Sequence, residues 1–149
     1  MSKAVLISTK PEWCRKIVIR EKIIEVRKTK PKIKTPFKCY IYCTKDNYVM
    51  YYDFKFALKC ALNGKVIGEF VCDGIVDYWR PFSYTSADCS IGLIKFGCLS
   101  IDEVWEYGKG KTLYGWHISD LKIYDEPKEL SEFGLKRPPQ SWCYVEKQQ

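Results

Sequence analysis

Within the stretch Arg20-Glu21-Lys22-Ile23-Ile24-Glu25-Val26-Arg27-Lys28, a lysine, a glutamate and an arginine are interleaved with apolar, mostly β-branched residues. Residues two apart on an extended strand share a face, so Glu25 and Arg27 point the same way about 6.5 to 7 Å apart along the chain. One ligand can touch both. Lys22 precedes the strand, where a bend can aim its amine at the same face. As a binding set, Arg27 holds phosphate or carbonyl oxygens through its planar fork, Lys22 adds a point charge and Glu25 accepts from a base amine. As a hydrolytic set, Glu25 is the general base for a water, while Lys22 stabilises an oxyanion or shuttles the proton. The pattern serves binding and catalysis alike. Its competitor is a ladder of surface ion pairs on an edge strand, which contributes little to stability and nothing to chemistry.

The flanking sequence must position these residues. Ala4 to Ser8 reads as a short buried strand, and Thr9-Lys10-Pro11-Glu12 has the form of a capping box with proline in the first turn. This predicts a helix from about residue 10 to Arg20, with Trp13, Cys14 and Ile17 inward and Arg15, Lys16 and Arg20 outward. Helix hands over to strand at Glu21-Lys22, and Ile23 to Lys28 is that strand. Residues 29–36 hold Lys30, Lys32 and Lys34 between two prolines and form a loop or extended edge. Phe37 to Thr44 is a strong strand, and Val66 to Val76 is another with room for a bulge at Gly68 or Gly74. Between them, Tyr48, Tyr51, Tyr52, Phe54 and Phe56 suit a strand, and the leucine-alanine run near residue 60 suits one helical turn. Ser100-Ile101-Asp102-Glu103 is a second capping box, opening a short helix that Gly108 closes. Leu113 to Tyr124 reads as a strand, Pro127 to Phe133 as a helical turn and Gln140 to Glu146 as a last strand. Many strands with two or three helices between them predict an α+β fold, a mixed and partly closed barrel.

The 149 residues, 46% of them apolar, suit one domain over 1–149. The net charge of +7 is unevenly spread: residues 1–46 carry 13 Lys/Arg against 4 Asp/Glu, and residues 47–149 carry 12 against 14. Such asymmetry points to a polyanion, whose counterions are released by each lysine or arginine set on a phosphate. Arg15, Lys16, Lys30, Lys32 and Lys34 are the expected backbone contacts. The eight cysteines lack a CxxC pair, and His117 is the single histidine, so neither a structural zinc site nor any cofactor is expected. Cysteines within apolar runs, such as Cys43 and Cys72, behave as small hydrophobes and suit a reducing cytoplasm. The opening apolar run is too short for a signal peptide, and no stretch approaches a membrane span, so no membrane partner is expected. Gly110-Lys111-Thr112 ends like a phosphate-binding loop, but Trp105 stands where its first glycine belongs, and the match fails. His117 reads as a hydrogen-bonded structural residue, and Ser119-Asp120 without a second histidine makes no triad. Five tryptophans and eleven tyrosines supply stacking surfaces. Those beside basic residues are the better candidates: Tyr40 and Tyr42 near Lys38 and Lys45, and Trp79 beside Arg80.

The pattern Lys22-x-x-Glu25-x-Arg27, directly after a strand and helix, resembles the G-x-K-x-x-E-x-R signature of the ASCH family, a branch of the PUA-like β-barrels. Three of four fixed positions match. Arg20 stands where the family has glycine, which predicts a changed backbone in the turn before the lysine. The strand Tyr40-Ile41-Tyr42-Cys43-Thr44-Lys45, and the tail from Gly115-Trp116-His117 through Arg137-Pro138-Pro139-Gln140-Ser141-Trp142, also resemble small bacterial and phage-type members. The resemblance implies a partly closed barrel with the signature in a cleft, and binding of RNA or a nucleotide-like ligand by Lys22, Glu25, Arg27, Lys28, Tyr40 and Tyr42. It also admits a ribonuclease or an amidohydrolase acting on a modified nucleoside, with Lys22 and Glu25 catalytic. The amidohydrolases of the group use a lysine, a threonine and a distant glutamate; Glu25 falls where the threonine would, so the acyl-cytidine reaction is not carried over. A third reading is an interaction module docking acidic proteins through the basic arm.

Overall fold

The computed structural model describes residues 2–45, 64–81 and 91–148. In chain order the elements are β1 (Lys3–Thr9), α1 (Pro11–Val18), β2 (Ile24–Arg27), β3 (Phe37–Cys43), β4 (Lys65–Tyr78), α2 (Ile91–Gly97), α3 (Ile101–Gly108), β5 (Leu113–Lys128), a 3-10 turn (Leu130–Phe133) and β6 (Trp142–Glu146). The strands form one mixed sheet in the order β2-β5-β4-β3-β1-β6, in which only β1 and β3 run parallel. The fold is therefore α+β, a barrel that is not fully closed. The strand on Tyr48, Tyr51, Tyr52, Phe54 and Phe56, and the turn near residue 60, lie outside the described residues. Among the described residues no helix is long and apolar enough to cross a membrane.

Alternation along each strand divides the core. Val5, Ile7, Cys39, Ile41, Phe70 and Trp116 share the inner face, which α1 covers with Cys14 and Ile17. Ala4, Leu6, Tyr40, Tyr42 and Tyr124 share the opposite face, under Phe133 of the 3-10 turn. Ile24 and Val26, on the outer side of β2, pack with Leu93 of α2 and Val104 of α3. Bulges break the β4 register between Val66 and Gly68 and between Cys72 and Ile75, at the two expected glycines. At Gly68 a Cβ would lie 2.5 Å from the Lys122 carbonyl oxygen, so the strands meet there only without a side chain.

The edge strands β2 and β6 do not share a ladder, yet side chains connect them. The Trp142 indole donates to Thr29 Oγ1 at 2.8 Å, and the Lys32 backbone N–H donates to the Tyr144 hydroxyl at 2.8 Å. The segment after β2 thus runs down the β6 edge, joined to it by side-chain hydrogen bonds while the sheet stays open.

Three local expectations need correction. The N-cap of α1 is Lys10, without a side-chain bond, because Thr9 belongs to β1 and its hydroxyl serves another partner. That helix ends at Val18 rather than Arg20, since Arg20 takes φ +65° and its N–H turns back to the Ile17 carbonyl at 2.9 Å. Arg20 therefore stands in a left-handed turn, a conformation that glycine adopts without strain. At α3 the Ser100/Glu103 box forms as expected, but Lys109, not Gly108, is the left-handed stop. Helix α2, a short run that contains Gly92 and Gly97, is not expected from the sequence.

Candidate functional site

Lys22, Glu25 and Arg27 are 3%, 5% and 7% exposed. They are not a surface ladder. Glu25 pairs across the sheet with Trp116 and Arg27 with Tyr114, so both charged side chains share the inner face with the Trp116 indole. Charge on an inner face persists only where partners replace water. Arg27 has them in full. Its Nε lies 3.4 Å from Glu25 Oε1; one terminal nitrogen donates to the Ser141 carbonyl at 3.0 Å and its hydroxyl at 3.2 Å; the other donates to the Ser8 carbonyl at 2.8 Å and to Thr9 Oγ1 at 3.2 Å. Both terminal nitrogens are thus hydrogen-bonded to protein atoms, four bonds in all, and Nε faces Glu25 across the ion pair. The expectation that this fork holds a ligand phosphate is corrected by that geometry: Arg27 joins β2 to β1 and to the residue before β6, and it fixes one oxygen of Glu25.

The other oxygen is left over. Glu25 Oε2 is buried with no hydrogen-bond partner, and so is Trp116 Nε1, its neighbour directly across the strand pair. The two residues face each other across the strand pair, and a buried acceptor and a buried donor that are both without a partner in the protein are open to completion by solvent or ligand. Arg15 Nε is orphaned in the same way.

Lys22 lies within electrostatic reach of Glu25. Its ammonium donates to the Gly97 carbonyl at the end of α2 at 2.5 Å and sits 5.3 Å from the centre of the Trp13 ring, which Lys16 Nζ approaches to 5.1 Å. Burial lowers the Lys22 pKa from its ordinary 10.5, and the Glu25 charge opposes that shift. In the unfolded chain the amine titrates at its ordinary value, so between the lowered folded value and 10.5 the unfolded state binds more protons and this group makes stability rise with pH. Comparing urea unfolding of wild type and Lys22→Met cancels the other titrations. The variant's stability relative to wild type should fall as pH climbs through that window, and a difference independent of pH would contradict the assignment.

The remaining expected residues divide. Lys28 lies at the rim with its ammonium 4.8 Å from the Tyr107 ring centre, and Lys30 pairs with Asp77 at 3.2 Å beside the Tyr114 ring. Lys32 and Lys34 are exposed on the segment that follows. Arg15 and Lys16 are half-buried on α1, Lys16 next to Lys22. Tyr40 and Tyr42 are corrected: period-two alternation puts them on the opposite face from Glu25, where Tyr40 packs on Phe133 at 4.8 Å and its hydroxyl accepts from the Gln148 backbone N–H. They cannot stack on a ligand at Lys22. Trp79 is 55% exposed with the Arg80 guanidinium 5.0 Å from its ring. His117 Nδ1 lies 2.6 Å from Asp73 Oδ1, an exposed pair in which the imidazole donates and the carboxylate accepts. Sequence reasoning missed Ser8, Ser141, the Gly97 carbonyl and the unpaired indole of Trp116. Ser141 and Gly97 lie far along the chain from the signature, and no local pattern marks them. The β-alternation of residues 113–118 does put Trp116 on one definite face. Among the described residues no three His, Cys, Asp or Glu side chains converge on a metal position.

No protein-family model matches the chain, and no curated protein matches it. Among solved structures, it is similar to an ASCH protein from Zymomonas mobilis at 21% identity and a TM-score of 0.71, covering 97% of this chain and 88% of that one. It is also similar to two variants of that protein, one with tyrosine changed to phenylalanine (21% identity, TM-score 0.68, 98% and 92% covered) and one with serine changed to alanine (20%, 0.68, 97% and 89%). The six-stranded mixed sheet, open between β2 and β6, is the fold of an ASCH-like domain.

Proposed function

We propose that the protein binds RNA or a nucleotide-like ligand by taking the polar edge of one base against Glu25 and Trp116. The observation that carries this reading is the unpartnered pair Glu25 Oε2 and Trp116 Nε1, an acceptor and a donor on facing positions of adjacent strands. Nucleobase edges present donors and acceptors side by side, which is the complement of that pair. Phosphate is the wrong ligand there, because it offers acceptors only and would meet a carboxylate. Burial of Lys22, Glu25 and Arg27 keeps a duplex away from these atoms, so a nucleic acid would reach them only through an extruded base. The phosphates would stay outside, on Lys28, Lys30, Lys32 and Lys16. Arg27 then acts as a positioning residue, holding Glu25 in one orientation. Equilibrium binding of nucleoside monophosphates and short single-stranded RNA to wild type and Glu25→Gln tests the reading; weaker binding by the variant supports it, and equal binding contradicts it.

One observation favours a second reading, hydrolysis of RNA or of a modified nucleoside. An amine with a lowered pKa beside a carboxylate is a common acid-base arrangement. On that reading Glu25 draws the proton from a water and Lys22 delivers a proton to the leaving group. It is distinguished by turnover that vanishes in Glu25→Gln while binding survives.

A further inference from the structure

A groove of about 370 Å³ opens at the far end of the barrel from the Arg27 clasp, and Lys3, Lys34, Lys38 and Lys147 stand around it. The sheet order explains the cluster. Strands β3, β1 and β6 are neighbours, and Lys3 pairs with Glu146, so Lys38, Lys3 and Lys147 come from three adjacent chain segments at one end of the sheet. Lys34 joins them from the segment that descends the β6 edge. Lys38 is tied to Glu69, whose second oxygen accepts from the Tyr124 hydroxyl at 2.8 Å. Lys34 and Lys147 make no ion pair among the described residues, and Lys3 lies 5.3 Å from the centre of the exposed Tyr144 ring.

The groove is connected to the base site. Arg27 reaches Ser8 and Ser141, Thr29 bonds Trp142, Lys32 bonds Tyr144, and Lys34 lines the groove, so the segment 28–34 leads from one to the other with exposed lysines at 28, 30, 32 and 34. From Thr9 to Lys3 the span along β1 is about 20 Å. We propose that this groove holds the phosphodiester backbone of a single RNA strand about three nucleotides along from the base site. The track favours RNA over an acidic protein segment because aromatic rings accompany its ammoniums. Tyr107, Tyr114 and Tyr144 lie beside Lys28, Lys30 and Lys3, and the exposed ring of Tyr144 offers a face for a base while the lysines meet phosphates.

The groove and the base site can fail separately. Single-stranded RNAs of about one to ten nucleotides are titrated against wild type and a Lys3→Gln/Lys147→Gln variant at several salt concentrations. Both lysines are exposed, and a urea transition equal to that of wild type verifies that the variant is folded. The expected result is affinity that rises with length in wild type, a several-fold loss of that gain in the variant, and a salt slope shallower by about 1.4. Mononucleotide affinity should not change. A length-dependent gain identical in both proteins, or no gain in either, overturns the groove while leaving mononucleotide binding to decide the base site. Long RNA bound through these lysines without any mononucleotide binding would keep the groove and overturn the base site. Poly-glutamate binding as tightly as RNA, and lost in the variant, would assign the groove to an acidic protein and overturn the RNA proposal.

Discussion

Replacing Arg27 with alanine should lower unfolding free energy by about 3 to 5 kcal/mol, the usual cost of removing one partner from a buried, hydrogen-bonded charge pair. Three losses combine in that figure. Glu25 keeps its buried charge without the guanidinium at 3.4 Å, the carbonyls of Ser8 and Ser141 lose their donors, and the clasp from β2 across β1 to the start of β6 disappears. A domain with a total stability of roughly 5 to 15 kcal/mol cannot absorb this without a large fall in its urea midpoint. Arg27→Lys should recover only part of the loss, because an ammonium cannot direct donors at four separate acceptors as the planar fork does. Urea titrations of the three proteins are the measurement. A change within the range of ordinary surface substitutions, about 0.5 kcal/mol, would mean that the arginine is not the clasp described here.

The second large effect belongs to Glu25. Glu25→Gln keeps the shape of the side chain but exchanges one acceptor for an amide donor and removes the charge. If the free oxygen accepts from a base, the amide presents the wrong polarity, and sites built to hydrogen-bond a ligand group discriminate strongly when that group is left unpaired. Affinity for a mononucleotide should fall by at least about ten-fold, corresponding to the 1.4 kcal/mol or more of a charged hydrogen bond. The salt slope for longer RNA should hardly change, since Glu25 touches no phosphate. The contrast matters because a general electrostatic effect would alter both. Stability of the variant must be measured beside its binding, because Arg27 also loses a counter-charge.

Much of the fold could be read from local sequence. The helix-to-strand change at Lys22, the strands at residues 37–44, 66–76 and 113–124, the Ser100/Glu103 box and the bulges at glycines all depend on neighbours a few residues apart. The signature was visible for the same reason: Lys22, Glu25 and Arg27 lie on one short segment. What Arg27 does was not visible. Its acceptors Ser8 and Ser141 are 19 and 114 residues away, and only the approach of β6 to β2 brings them to the guanidinium. A planar fork suits phosphate and carbonyl oxygens equally, so residue type alone could not decide between ligand and clasp. Tyr40 and Tyr42 failed differently. Their adjacency to Lys38 and Lys45 in sequence suggested a stacking surface, but strand alternation sends them through the sheet to the face under Phe133. Thr9 fitted a capping box by spacing, while tertiary structure extended β1 through it and gave its hydroxyl to Arg27. Arg20 shows the converse case, in which a residue poorly suited to positive φ is held there by the surrounding turn.

Recognition of a base by this site rests on one pair of atoms, Glu25 Oε2 and Trp116 Nε1. The indole N–H gives a resolved proton resonance in NMR, assigned among the five tryptophans with Trp116→Phe. Titration with nucleoside monophosphates should shift that resonance downfield, as a hydrogen bond forms to a base acceptor, and the same titration of Glu25→Gln should shift it far less. Nucleotides that bind and perturb other resonances while leaving the Trp116 indole in place would contradict the account.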